Sequence, residues 1–168
     1  MQERANESMD KKRETKILFV CHGNICRSPM AEFIMKQLLA EKGLDKLVSV
    51  DSKAISSEEI IGGVGNLMDP RAERELTKHG VPFTQRRAQL TTKEDYAKYD
   101  YLVAMDNENL LALNQICGGD PDRKEYKLLQ FTGSYNDIDD PWYSNDFETA
   151  FQEIKRGCEG LLAKIVED

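Results

Sequence analysis

Between a short apolar run, Lys16-Ile17-Leu18-Phe19-Val20, and the start of a helical pattern lies Cys21-His22-Gly23-Asn24-Ile25-Cys26-Arg27-Ser28-Pro29. A thiol and a guanidinium separated by five residues, in a tight turn between strand and helix, form a pocket suited to a tetrahedral dianion. Backbone amides along His22, Gly23, Asn24, Ile25 and Cys26, backed by the unpaired amides of the helix start at Ser28, favour a bound anion. Gly23 relieves crowding where the main chain approaches that anion. The amides and Arg27 that hold phosphate also favour a thiolate at Cys21, the expected nucleophile. Arg27 grips two oxygens in a fork that lysine cannot reproduce. Ser28 is read two ways, as a hydroxyl donor to the leaving sulfur and as the cap of its own helix.

Attack on phosphorus also requires an acid for the leaving oxygen. Three Asp-Pro pairs compete: Asp69-Pro70, Asp120-Pro121 and Asp140-Pro141. Asp120 follows a helix and precedes a strand, which puts it at the sheet edge opposite Cys21. Asp69 stands directly before a strong helical pattern and serves best as its cap. Asp140 remains, in a long loop, with Trp142 and Tyr143 beside it to face an aromatic leaving group.

The elements that position these residues alternate along the chain. Strands are expected near 16–20, 47–51, 100–105 and 126–130, and helices near 28–42, 70–79, 107–117 and 145–166. That alternation marks an α/β domain, a parallel sheet covered by helices on both faces. Ala31, Ile34, Met35 and Leu38 share one helical face. Phe147, Phe151, Ile154, Cys158, Leu161, Leu162 and Ile165 form the stripe of the last helix, which makes Cys158 core filler, and Cys117 is read as structural too. His79, at a helix end, is read as a packing or capping residue.

At 168 residues the chain suits one domain. Residues 1–15 mix both signs of charge with almost nothing apolar and are expected to be a flexible tail ahead of a domain over 16–168. A net charge of −7 argues against nucleic acid or anionic membrane as partner. No apolar stretch approaches a membrane span, and the first residues show no signal core, so the expected compartment is the cytoplasm. Four scattered cysteines are expected to be free thiols. A metal site on Cys21 and Cys26 lacks the partner cysteines and histidines it would need.

The loop from Val20 to Pro29, the following Met30-Ala31-Glu32, Asp69-Pro70-Arg71-Ala72, Tyr101-Leu102-Val103-Ala104-Met105-Asp106 and Asp140-Pro141-Trp142-Tyr143 resemble, in order, the low-molecular-weight protein tyrosine phosphatases, over roughly residues 16–166. The resemblance implies a single-domain three-layer αβα sandwich on a four-stranded parallel sheet of order 2-1-3-4. It also implies a cofactor-free two-step hydrolysis of phosphotyrosine. Cys21 becomes a phosphocysteine, Asp140 serves as acid and then as base, and inorganic phosphate is released. Arg27 clamps the phosphate, and the residue matching Asn24 ties the loop into shape by side-chain hydrogen bonds. Phosphotyrosine-containing proteins are the implied partners, with the chain acting as a monomer or weak homodimer.

Two departures stand out. The loop Ser56–Gly65 has no ring where many members carry an aromatic, and Gln85–Leu90 lacks the histidine frequent there, read here as a structural variation. Protein-arginine phosphatases share the scaffold, but typically place a threonine where Ile25 stands, and Trp142 with Tyr143 favours a phenyl ring. Arsenate reductases need a further cysteine pair, and Cys117 and Cys158 stand far apart in sequence. Cys26 is read either as a small buried thiol or as the partner that traps an oxidised Cys21 in a reversible disulfide.

Overall fold

The computed structural model describes residues 14–167. The expected tail therefore lies outside the described residues through position 13, and Thr15, its last residue, already begins a strand. That strand, β1 (Thr15–Cys21), organises the molecule. Ile17, Phe19 and Cys21 enter one core and Leu18 and Val20 another, so consecutive side chains alternate between two buried faces.

After β1 come α1 (Arg27–Glu41), β2 (Val48–Ala54), the short pair β3 (Ile60–Ile61) and β4 (Val64–Gly65), α2 (Pro70–Lys78), α3 (Asp95–Lys98), β5 (Tyr101–Ala104), α4 (Asn107–Cys117) and β6 (Glu125–Lys127). A 3₁₀ turn (Leu128–Thr132), α5 (Pro141–Ser144) and α6 (Phe147–Glu167) complete the order. The main sheet runs β2-β1-β5-β6 with every pairing parallel, which is the expected 2-1-3-4 order once the β3/β4 hairpin is set aside. Register places Cys21 beside Ala54 and Val20 beside Ala104, so the carboxyl ends of three strands open on one edge.

The larger core joins Ala31, Ile34 and Met35 of α1, Ala72 and Leu76 of α2, and Phe151, Ile154, Cys158 and Leu161 of α6. The smaller one joins Leu113 and Cys117 of α4 to Tyr99 and Leu102. Full burial of each large aliphatic or aromatic side chain contributes about 1.5–3 kcal/mol, so the two layers hold the sheet firmly beneath the edge that carries Cys21. His79 closes α2, its ring stacked 3.9 Å from Phe151, as a packing residue. Among the described residues no helix is long and apolar enough to cross a membrane.

Three local expectations need correction. The strand expected over 126–130 ends at Lys127, because Leu128 and Leu129 both enter the same core, which a strand's alternation does not allow. Their turn packs against α6 at Gly157, where a Cβ would lie 2.5 Å from Leu128 Cγ. The last helix begins at Phe147 rather than 145, because α5 stops at Asn145 with φ 60°. The Ser56–Gly65 segment contains the hairpin β3/β4, turned on Gly62 and Gly63 at φ 61° and 80°, the geometry of a two-residue mirror-image turn.

Candidate active site

β1 delivers Cys21 at the carboxyl edge of the sheet, and the next five residues curl back to the start of α1. The helix begins at Arg27, one residue earlier than Ser28-Pro29 suggested, with Cys26 at the cap position and no side-chain capping bond. Ser28 is therefore not a cap. Its Oγ lies 3.1 Å from Cys21 Sγ, and its backbone N–H donates to the same sulfur at 3.4 Å. Asn24, at φ 61°, donates through Nδ2 to Ser28 Oγ at 2.8 Å and to Ser52 Oγ at 3.0 Å. Because the Ser28 oxygen accepts from Asn24, its hydrogen is available to the Cys21 sulfur. The side chains of Asn24 and Ser28 are fully buried, so their expected part in binding substrate rests on the backbone amides of the loop.

What fixes the Asn24 amide is Arg86. Its guanidinium donates to Asn24 Oδ1 at 2.8 Å, to Asn24 O at 3.2 Å and to Ser52 O at 3.1 Å, while Nε lies 3.4 Å from Glu32 Oε1. The Gln89 N–H adds a second donor to Asn24 Oδ1 at 3.1 Å. With Oδ1 facing two donors, Nδ2 must face the two serines, so the hydrogen-bond direction is set from Arg86 through to the sulfur. Ser52 in turn donates to Glu32 Oε1 at 2.7 Å, and Lys36 pairs with Glu32 Oε2 at 2.7 Å. The Gln85–Leu90 segment thus carries a brace for the loop and is more than a structural variation.

Arg27 is buried, with Nη1 donating to Asp106 Oδ2 at 2.7 Å and to Ile138 O at 2.8 Å. Nη2 stands 3.5 Å from Asp140 Oδ2. Burial opposes the charge, but Cys21, Asp106 and Asp140 outweigh it and raise its pKa above the ordinary arginine value. Asp106 is not among the expected site residues, yet its place just beyond β5 puts it on the carboxyl edge beside β1. Its other oxygen caps α4 by accepting from Asn109 N at 2.7 Å, so one carboxylate holds both the helix and the arginine.

Cys21, His22, Gly23, Ile25, Cys26, Arg27 and Asp140 line one cleft. Trp142 and Tyr143 form an exposed lip on one side. Glu58 and Glu59 line the same cleft, in the segment that lacks the ring, with Glu58 2.9 Å from His22 Nε2. The stem of Glu59 lies over Gly23, where a Cβ would meet its Cγ at 2.9 Å. Below the cleft, the Cys26 thiol donates to Asp69 Oδ2 at 3.6 Å, and burial, with Asp69 second, pushes that thiol well up. Asp69 caps α2 by accepting from Arg71 N at 2.8 Å, as expected. Asp120 accepts from Lys124 N and Glu125 N ahead of β6, at the far edge of the sheet. Cys117 and Cys158 sit in different cores.

A chain with this sheet order, this loop and this late Asp-Pro matches the family profile of low molecular weight phosphotyrosine protein phosphatases over residues 16–168. It belongs to that family, whose members are hydrolases. It is 38% identical over 154 residues to the low molecular weight protein-tyrosine-phosphatase YfkJ of Bacillus subtilis, covering 90% of this chain and 96% of the relative. The crystal structure of YfkJ superposes with a TM-score of 0.85 at 36% identity, over 92% of this chain and 96% of that one. The human low molecular weight phosphotyrosine protein phosphatase is 37% identical over 169 residues, covering 93% and 99% of the two chains. The crystal structure of a drosophila arginine phosphatase matches with a TM-score of 0.79 at 31% identity, over 90% of this chain and 98% of that one.

Proposed function

We propose that this chain hydrolyses phosphotyrosine in proteins and small aryl phosphates, releasing inorganic phosphate. The observation that carries the reading is the meeting of three groups in one cleft: the Cys21 thiol, the Arg27 fork, and the Asp140 carboxylate 3.5 Å from Arg27 Nη2. With Nη1 held by Asp106 and Ile138, the Nε and Nη2 positions of the fork are left for two phosphate oxygens. The Cys21 thiolate attacks phosphorus as the bond to the phenolic oxygen breaks, and protonated Asp140 transfers its proton to that oxygen. Asp140, now a carboxylate, takes a proton from a water that attacks the phosphocysteine. The S–P bond breaks, phosphate leaves, and Ser28 donates to the departing thiolate, which its 3.1 Å approach supports. A reducing compartment such as the cytoplasm keeps the nucleophile in its thiol form.

Asp140→Asn tests the assignment. It is expected to slow phenyl phosphate cleavage by roughly 10² to 10⁴-fold and 4-nitrophenyl phosphate far less, since nitrophenolate leaves without a proton. Equal losses on the two esters would refute it, and the selective loss appearing in Asp69→Asn instead would move the acid there.

A second reading, hydrolysis of phosphoarginine, is favoured by one observation: Glu58 and Glu59 line the cleft where a substrate guanidinium would sit. Ile25 and the Trp142–Tyr143 lip weigh against it, offering apolar contact only and an aromatic face. Peptides bearing phosphotyrosine, phosphoserine or phosphoarginine, assayed with the native chain and Ile25→Thr, separate the two. An arsenate reductase would need a second thiol pair, and Cys117 and Cys158 lie on opposite faces of the sheet.

A further inference from the structure

Asp140 sits at the amino end of α5, a helix of four residues, too short to hold its own shape without outside contacts. The carboxylate has few restraints of its own: Trp142 N donates to Oδ1 at 3.1 Å, and Arg27 Nη2 stands 3.5 Å from Oδ2. The short helix is instead grasped from outside by one guanidinium. Arg71, at the start of α2, donates through Nη1 to the side chain of Asn145, the residue that ends α5, at 3.0 Å. Its Cζ lies 5.2 Å from the Trp142 ring and 4.8 Å from the Phe147 ring, so it also contacts the interior of α5 and the first residue of α6. The other edge of the fork is anchored in a two-point pair with Asp69, at 2.8 and 3.2 Å. Asp69 is itself joined to the phosphate loop, its N–H donating to Ile25 O at 2.9 Å and its carboxylate accepting from Cys26.

We infer that Arg71 is a positioning residue for the general acid, a clamp that ties the Asp140-bearing helix to the loop bearing the nucleophile. The inference rests on the assignment of Asp140 as acid. Arginine suits the task because one planar group presents a fork to Asp69, a further N–H to Asn145 and a face to aromatic rings, a combination lysine lacks. Loosening the clamp lowers the fraction of time Asp140 spends over the leaving oxygen and leaves Cys21 and Arg27 where they are.

The test compares kcat/KM on phenyl phosphate and 4-nitrophenyl phosphate for Arg71→Gln, Arg71→Lys, Asn145→Gly and Asp140→Asn. Glycine at 145 removes the acceptor but keeps the left-handed backbone. Trp142 is the sole tryptophan of the chain, so its fluorescence reports on α5 directly. Arg71→Gln is expected to lose roughly 10-fold on phenyl phosphate, part of the 10² to 10⁴ a placed acid supplies, and under about twofold on the nitrophenyl ester. Arg71→Lys falls between Arg71→Gln and the native chain, Asn145→Gly shows the same selectivity in smaller measure, and in both Arg71→Gln and Asn145→Gly Trp142 becomes more open to acrylamide quenching. A drop equal on both esters, or quenching of Trp142 that stays unchanged, overturns the inference. Should Arg71→Gln fail to fold, Asn145→Gly decides by the same two readouts. If Asp140→Asn is selective and the clamp variants are not, the clamp alone falls; if Asp140→Asn is not selective, the acid assignment falls and the clamp with it.

Discussion

Replacing Arg86 with methionine keeps a stem of similar length and removes the guanidinium that sets the Asn24 amide. Three hydrogen bonds from a charged donor disappear, at 2.8, 3.1 and 3.2 Å, together with the contact to Glu32. Bonds of that kind contribute about 1.5–3 kcal/mol each, but the sum overstates the effect, so we expect about 3 kcal/mol. Gln89 N still reaches Asn24 Oδ1, and Lys36 still pairs with Glu32. For a chain of this size that lowers Tm by about 6–12 °C. The catalytic effect has a particular form. Once the amide is free to flip, its oxygen faces Ser28 for part of the time, and the hydroxyl turns its hydrogen away from Cys21. A full donor to a developing anion is worth about 10² to 10³, so partial loss predicts roughly a tenfold fall in kcat. Because the donor helps the thiolate depart from phosphorus, kcat falls more than kcat/KM, and a burst of nitrophenolate appears before the steady state. Stopped-flow absorbance on the variant, with Arg86→Lys as the conservative control, measures both. A large drop in Tm with kcat and burst unchanged would refute the idea that Arg86 directs the hydrogen on the nucleophile.

Asp106→Asn is expected to cost kcat/KM about tenfold, because a hydrogen bond to the Arg27 charge at 2.7 Å is weakened, a change of about 1.4 kcal/mol; unchanged inhibition by inorganic phosphate in that variant would count against Asp106 as the anchor of the fork. Burial works against the charge of Asp69, but the Arg71 bonds prevail and keep its pKa below the ordinary carboxylate value of 3.8. Its contribution to stability is therefore complete above that pH and is lost as pH falls through the lowered folded value. The stability gap between the native chain and Asp69→Asn, followed by denaturant melts, should close on acidification, and a gap that widens would contradict the sign. Mild peroxide is expected to give a Cys21–Cys26 disulfide reversible by thiols, formed as the Cys26 thiol displaces water from a Cys21 sulfenic acid. Irreversible loss of activity without that crosslink, read by peptide mass, would exclude it.

The reactive loop was legible because its parts are contiguous: Cys21 to Ser28 carries sulfur, amides and guanidinium in one turn, and a strand and helix flank it on a regular pattern. The braces were not legible, since they arrive from far along the chain. Arg86 meets Asn24 across 62 positions, from a segment with no periodicity to betray a buried side chain. Asp106 carried a usable signal, because a strand expected over 100–105 must deliver the next residue to the edge shared with Cys21. Of the two readings of Ser28, the cap fails, while its Oγ lies beside the sulfur as the other reading expects. Serine before proline is a strong local capping signal, yet the helix starts at Arg27 and the hydroxyl turns to the sulfur instead. The strand expected over 126–130 stops short for a related reason: Leu128 and Leu129 pack on one side, where Gly157 of α6 leaves room for Leu128.

Acid quenching of the chain within milliseconds of mixing with a phosphotyrosine peptide, followed by peptide mapping, asks whether the phosphoryl group passes through sulfur. The mechanism predicts a phosphate carried on the peptide containing Cys21 during turnover, absent from Cys21→Ser, a variant that still binds the ester but does not turn it over. Turnover at the normal rate with no phosphate on that sulfur at any time, or normal turnover by Cys21→Ser, would contradict it.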